Sequence, residues 1–165
     1  MSESFDFLGA RSIVPGAFGE PGRRTFFVQA RTELGDVSFK VEKQQVAALC
    51  EYFENLLEDL PSVGPLDADA IESASFPGGL EWTIGGLGVA FDEDERRLVL
   101  VAEELVLADD AGEEPEPATA RFHLDPVQIA AFVAIGNRLV HAGRPACRLC
   151  GRPIDADGHT CPRLN

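Results

Sequence analysis

Short apolar runs alternate with turn-forming residues along the chain, and they fall into two similar sets. Each set has three runs of strand length, over residues 12–18, 24–30 and 37–41 and again over residues 81–91, 97–104 and 119–124. The stretch Gly19-Glu20-Pro21-Gly22 predicts a hairpin turn after the first run, and the acidic stretch 92–95 takes that place in the second set. The pattern therefore predicts two hairpins, each followed by a third strand.

A helix is predicted after the third strand of each set. In the first helix the apolar residues have the i, i+3, i+4, i+7 spacing of one buried stripe, formed by Val46, Leu49, Cys50, Phe53, Leu56, Leu57 and Leu60. The second helix begins at Asp125-Pro126, because Asp suits the N-cap and Pro the first helical position, and it stops near Gly143. It is apolar on nearly every side, so the first helix, the C-terminal segment or a second copy in a homodimer must cover it.

The two sets also resemble each other residue by residue. Residues 17–24 match residues 90–97 at an offset of 73, and residues 39–49 match residues 122–132 at an offset of 83. The change in offset places about ten extra residues in the second set, and we expect them in the acidic loop 108–117. We therefore interpret the chain as an internal duplication.

This duplication predicts an α+β fold, in which two pseudo-repeated βββα units form a roughly six-stranded sheet body with two helices. Repeat one covers about residues 12–60 and repeat two about residues 80–142, with a linker over residues 59–76.

Composition and charge restrict the class of partner. The 165 residues are 45% hydrophobic, so the chain has enough apolar surface for a folded core. Its 14 Lys and Arg stand against 28 Asp and Glu, for a net charge of −14. This charge opposes non-specific binding to duplex nucleic acid or to an anionic membrane. The N-terminal residues have no signal-peptide pattern, and no apolar run is long enough to span a bilayer, so we expect a cytoplasmic protein.

The C-terminal end carries a metal-binding pattern. Cys147-x2-Cys150 is followed, after eight residues, by His159-x-Cys161. Three thiolates and one imidazole form the four-ligand set of a structural zinc site, with no position left for water. We therefore expect a duplicated body over residues 1–143 and a zinc-binding tail over residues 144–165 that depends on Zn²⁺ for its fold. A redox pair of cysteines and a tail without metal are the alternatives.

Four stretches of the sequence resemble a known family. They are GEPGRRTFFVQA at 19–30, EKQQV at 42–46, CRLCGRPID at 147–155 and GHTCPR at 158–163. They are similar to blocks of an uncharacterised actinobacterial protein family, domain of unknown function 3090, with a tail that resembles a zinc ribbon. Its members usually have Pro in place of Arg148 and of Ala156, and neither position is a proposed ligand. The resemblance implies a cytosolic bacterial protein without assigned activity, supports the four ligands and adds no catalytic residue.

Other candidate sites are weaker. Arg23, Arg24, Arg96 and Arg97 would contact an anion or a nucleic acid, although a plain hairpin turn explains the glycines near the first pair. Arg144, Arg148, Arg152 and Arg163 would serve in docking. Cys50 lies on an apolar helical stripe and is interpreted as a core residue. No known catalytic motif occurs in the sequence, so no catalytic residue is assigned.

Three functions follow from these patterns. The leading hypothesis is a non-catalytic interaction protein, whose zinc-folded, Arg-rich tail docks to a protein partner. The alternative is a protein that binds single-stranded nucleic acid, by analogy with the PUR and Whirly folds, with the four hairpin arginines and Phe26 or Phe27 forming the contact strip. The third is an enzyme with an unrecognised pocket.

Overall fold

The elements of the fold follow the predicted order, with one additional strand. The structure is a computed structural model that describes residues 1–60, 64–66, 71–109, 111–155 and 157–164. In these residues the chain forms β1 (Phe5–Phe7), β2 (Ser12–Phe18), β3 (Thr25–Thr32), β4 (Gly35–Val41), α1 (Lys43–Asp59), β5 (Ile84–Asp92), β6 (Arg97–Glu104), β7 (Thr119–Leu124) and α2 (Pro126–His141). The fold class is α+β, with a β-β-β-α order in each half, as the sequence predicts.

The strands divide between two sheets. One sheet has the order β1-β7-β6-β5 and the other the order β2-β3-β4. All neighbours are antiparallel except β1 and β7, which run parallel. The predicted strand over 81–91 begins only at Ile84, because its first residues pair with the other sheet. The Lys40 N–H donates to the Trp82 carbonyl at 3.0 Å, and the Glu81 N–H donates to the Ser38 carbonyl at 2.9 Å.

The two helices begin in the same way. The Glu42 N–H donates to the side-chain oxygen of Gln45 at 2.9 Å, and the Asp125 N–H donates to that of Gln128 at 3.0 Å. Asp125 is the N-cap of α2, as predicted. The buried residues of α1 are Val46, Leu49, Cys50 and Phe53, and those at the same positions of α2, 83 residues later, are Ile129, Phe132, Val133 and Gly136. The two helices therefore bury equivalent positions at the offset of 83 that the sequence match gives.

The register of the hairpins corrects the predicted match by one residue. The core residues of β3 are Phe26, Val28 and Ala30, and those of β6 are Leu98, Leu100 and Ala102. Phe26 thus corresponds to Leu98, an offset of 72, whereas the sequence match pairs it with Val99 on the opposite face of β6. The reason is the turn: residues 19–24 connect β2 to β3, but only residues 93–96 connect β5 to β6. The identical residues of the sequence match therefore align the two turns, but they do not align the strands that follow them.

Aromatic packing joins the two halves into one core. The fully buried ring of Phe39 in β4 packs edge-on against Phe122 in β7, with centroids 5.7 Å apart. Trp82 and the two phenylalanines of β1 also contact Phe39. Because β1 brings its rings to this centre, the N-terminal strand that the sequence pattern did not predict completes the core.

The apolar helix α2 is covered from two sides. It packs against α1, where the rings of Phe53 and Phe132 lie 5.2 Å apart, and against β2. The close approach occurs at Gly136, where a Cβ atom would overlap Cys50 Sγ and lie 3.5 Å from Pro15. Over the described part of the chain, neither helix has the length and apolar character needed to cross a bilayer.

A methyl group at Gly136 tests this contact. We expect Gly136→Ala to lower the free energy of unfolding by about 1–3 kcal/mol, because overpacking forces neighbouring atoms to move. In a Cys50→Ala background the same substitution should cost less, since the overlapping sulfur is absent. Urea denaturation of the four proteins of this cycle measures the coupling; additive effects within about 0.5 kcal/mol would contradict the proposed contact.

Candidate metal centre

Two tight turns build the C-terminal segment after α2. In the first, the Cys147 N–H donates to the Arg152 carbonyl at 2.8 Å, and the Gly151 N–H donates back to the Cys147 carbonyl at 2.8 Å. Gly151 adopts a φ of 73°, a left-handed conformation that favours glycine. This turn places the side chains of Cys147 and Cys150 on one side of the loop.

The second turn returns the chain to the first pair of sulfurs. Gly158 has a φ of 90°, and its N–H donates to the Asp155 carbonyl at 2.9 Å. The turn leads directly into His159 and Cys161. Since the two glycines have the backbone conformations that these reversals need, the local sequence explains how residues distant along the segment meet.

The four predicted ligands form one cluster. The ligand atoms of Cys147, Cys150, His159 and Cys161 all lie within 4.8 Å of one another. The Cys147 and Cys161 sulfurs are 4.0 Å apart, and the Cys150 sulfur is 3.3 Å from His159 Nε2. A disulfide requires two sulfurs at about 2.05 Å, so these cysteines are not cross-linked. The donor set and its spacing are compatible with a metal ion held between the four atoms.

Backbone groups and burial act differently on two of the thiols. The N–H groups of Cys150 and then Leu149 lower the pKa of Cys147, because they stabilise its thiolate. At Cys161 the Arg163 N–H acts in the same sense, but burial and the adjacent sulfurs outweigh it and raise the pKa. The protein itself therefore favours the thiolate of Cys147, and coordination to a metal would favour the thiolate at the other cysteines of the cluster.

The family of the chain is known from comparison. A family model described as a protein of unknown function, DUF3090, matches residues 5–161. The chain belongs to the DUF3090 family. This match covers the body and reaches the last of the four clustered residues, and it confirms the resemblance seen in the sequence. No curated protein and no solved structure matches the DUF3090 chain, so the analogy with PUR and Whirly folds gains no support from them.

The hairpin arginines of the DUF3090 chain do not form the predicted strip with Phe26 and Phe27. Both rings are buried, with 5% and 2% of their surface exposed, so neither is free to stack on a base. Arg97 donates to the Leu8 carbonyl at 2.9 Å, and Arg96 occupies the turn with a φ of 51°. Arg24 instead lies over the Phe26 ring, 5.1 Å from its centroid.

The predicted docking arginines separate into two groups. Arg148, Arg152 and Arg163 are exposed on the C-terminal segment. Arg144 pairs with Asp155 at 2.6 Å and also lies against Gly22 of the β2–β3 turn. The structure therefore brings Arg144 towards Arg24, together with Lys40 and Lys43, which the sequence reasoning did not single out. The sequence did contain a sign of this cluster: Lys43 is the first residue of α1, and a positive charge there is unfavourable next to the positive end of the helix dipole.

Cys50 is separate from the cluster, as predicted. It is buried between the helices, and this burial, followed by the charge of Glu54, raises the pKa of its thiol to about 11. The protonated thiol behaves as a small apolar side chain. Outside the cluster, Nε2 of His123 in β7 lies 2.7 Å from a carboxylate oxygen of Asp6.

The metal cluster gives the first prediction for this site. The chain should bind one Co²⁺ ion, seen as the thiolate-to-cobalt absorption, and Cys147→Ser should abolish most of this signal. Cys50→Ala is the matched control, because it removes a cysteine outside the cluster and should leave the signal unchanged. Equal Co²⁺ binding by Cys147→Ser and the wild type would show that the four atoms are not the ligands.

The raised pKa of Cys50 predicts a loss of stability at alkaline pH. The unfolded thiol ionises near its ordinary pKa of about 8.5, whereas the folded thiol stays protonated towards pH 11. Rising pH therefore favours the unfolded state between these values. The free energy of unfolding of the wild type should fall more between pH 8 and pH 10 than that of Cys50→Ala. Parallel pH curves for the two proteins would refute the assignment.

Proposed function

We propose that the DUF3090 chain is a non-catalytic interaction protein of a reducing cytoplasm, in which a structural zinc ion folds the C-terminal segment into a docking element. The observation that carries the proposal is the closed cluster of four ligand atoms, all supplied by this segment. A tetrahedral zinc site with Zn–S bonds of about 2.3 Å has ligand atoms about 3.8 Å apart. The sulfurs of Cys147 and Cys161 are 4.0 Å apart, close to that value, and all four ligand atoms lie within 4.8 Å of one another.

The ligand set supports zinc and a structural role. Thiolates and imidazole are ligands that zinc prefers, whereas Mg²⁺ and Ca²⁺ prefer oxygen. Four protein ligands complete the tetrahedron, so no coordination position remains for a water or a substrate. The ion would therefore stabilise a shape and not activate a reactant.

The segment has little else to hold it together. Two of its ligands, Cys147 and Cys161, are buried, while its larger apolar side chains Leu149 and Leu164 are 49% and 72% exposed. The ion pair of Arg144 with Asp155 lies at the surface, where such a pair contributes little. Metal binding would thus supply most of the free energy that folds this segment.

The exposed groups around the cluster suggest what kind of partner it takes. Arg148 and Leu149 project from the first turn, and Arg163 and Leu164 follow the last ligand. Guanidinium groups beside apolar side chains are typical of interface residues. The segment has four Arg and two Asp in a chain of net charge −14, so it contrasts with the acidic body. The proposed partner is a protein with an acidic surface and an apolar recess.

The docking role can be tested without disturbing the metal site. Zinc-loaded full chain is used as bait in native cytosol, beside Arg148→Asp/Arg163→Asp and the charge-matched control Arg96→Asp/Arg121→Asp. We expect the wild type and the control to retain the same partner, and the tail variant to lose it at least tenfold. Elemental analysis must show one zinc per chain in all three proteins.

Two results would overturn the proposal. Retention of every partner by the tail variant would show that the C-terminal segment is not the docking element. A chain purified without chelator that lacks stoichiometric zinc would remove the structural role of the ion.

A further inference from the structure

A second site lies where the body meets the C-terminal segment. A cavity of about 320 Å³ is bounded by the β2–β3 turn, the end of β4, the start of α1 and the residues that follow α2. Four cationic side chains line it, from Arg24, Lys40, Lys43 and Arg144. Lys40 and Lys43 are the two lysines of the entire chain. A volume of this size holds a small ligand.

Glycines allow the cationic groups to come close together. A Cβ atom at Gly143 would lie 3.1 Å from Lys43 Nζ and 3.7 Å from a terminal nitrogen of Arg24. A Cβ atom at Gly22, where φ is 89°, would lie 3.2 Å from the Arg144 side chain. Side chains at these two positions would displace the cations, so the backbone here is suited to their convergence.

These charges are poorly neutralised by the protein. Among the described residues, no carboxylate lies within ion-pair distance of Arg24, Lys40 or Lys43. Glu42 is the one acid among the described residues that line the cavity, and Arg144 is already paired with Asp155. In a chain with twice as many acids as bases, such a cluster is unexpected. Its mutual repulsion is relieved when an anion enters.

The start of α1 adds to the excess of positive charge at the cavity. The helix begins at Lys43 and has no acidic residue in its first turn. A cation at this position opposes the positive end of the helix dipole, whereas an anion is favoured there. The N-cap Glu42 already places one carboxylate at this helix end, so bound negative charge would mainly compensate the lysines.

The second half of the molecule provides an internal comparison. His123 occupies the position of β7 that Lys40 occupies in β4, 83 residues earlier. There the basic group faces Asp6, 2.7 Å away, and the neighbouring Gln128 donates to the Ala10 carbonyl at 2.9 Å. Residues 5–10 of the N-terminal segment thus lie beside β7 and the start of α2, and Asp6 supplies a carboxylate. In the first half residues 81–85 run beside β4 in the same way, and Gln45 donates to the carbonyls of Ile84 and Gly85 at 3.5 and 3.4 Å. The difference is that, among the described residues, no carboxylate lies within ion-pair distance of Lys40.

We propose that this cavity binds the phosphate group of a small phosphate monoester. Arginine can hold two phosphate oxygens with one guanidinium, and lysine acts as a point charge that binds phosphate. The cavity has room for the phosphate and for a substituent beside it. This site can be tested apart from the docking role, because three of its cations come from the body, and the fourth, Arg144 of the C-terminal segment, is not changed in the docking variants.

The proposal is tested on the zinc-loaded full chain at low ionic strength. Glycerol 3-phosphate, adenosine monophosphate, inorganic phosphate and a single-stranded oligonucleotide are titrated separately by calorimetry, and amide NMR shifts locate the site. We expect a monoester to bind more tightly than inorganic phosphate and to shift the amides of Gly22 and Gly143. Lys40→Ala/Lys43→Ala should weaken binding at least tenfold, whereas Lys40→Arg/Lys43→Arg should retain it.

The double alanine variant also separates a binding role from a structural one. Without ligand its melting temperature should equal or exceed that of the wild type, because like charges have been removed. The control Arg96→Ala/Arg121→Ala removes the same charge elsewhere and should bind as the wild type does. No monoester binding at millimolar concentration, equal binding by the lysine variant, or binding of the oligonucleotide alone would each overturn the proposal.

Discussion

The close packing of α2 against α1 and β2 is the contact on which the placement of both candidate sites depends. Gly136 lets the two helices approach until Cys50, Val46 and Pro15 surround the glycine. This approach sets the position at which α2 ends, and therefore where Gly143 and Arg144 leave the body. A bulkier residue in the middle of α2 would move that end away from the β2–β3 turn. The junction cavity and the start of the metal segment are thus coupled to one helix contact.

The two sites use different physical means to hold a charged group. In the C-terminal segment three thiols and an imidazole lie together on tight turns, and under the proposed function an ion held between them would supply most of the folding free energy. At the junction a rigid body already exists, and it positions cations from separate elements around open space. The first arrangement would make an ion part of the fold, whereas the second would leave room for an exchangeable ligand.

The body shows how two halves with the same order of three strands and a helix come to differ chemically. Both helices start after a strand with a basic residue two positions before the N-cap, Lys40 in one half and His123 in the other. The N-terminal strand pairs with a strand of the second half, where β1 lies beside β7 and Asp6 faces the histidine. The first half has residues 81–85 in the corresponding place beside β4, but no carboxylate that pairs with Lys40 among the described residues. Its basic groups consequently remain directed into a cavity.

The sequence alone determined the features that depend on neighbours along the chain. The spacing of three cysteines and a histidine identified the cluster of four side chains that could hold a metal, and Asp125-Pro126 identified the start of α2, because turns and helix caps are local. Tertiary structure decided the one-residue shift that pairs Phe26 with Leu98, the addition of β1 and the meeting of Arg24, Lys43 and Arg144. These depend on which strands and helices pack together, and long-range packing leaves no fixed spacing in the sequence.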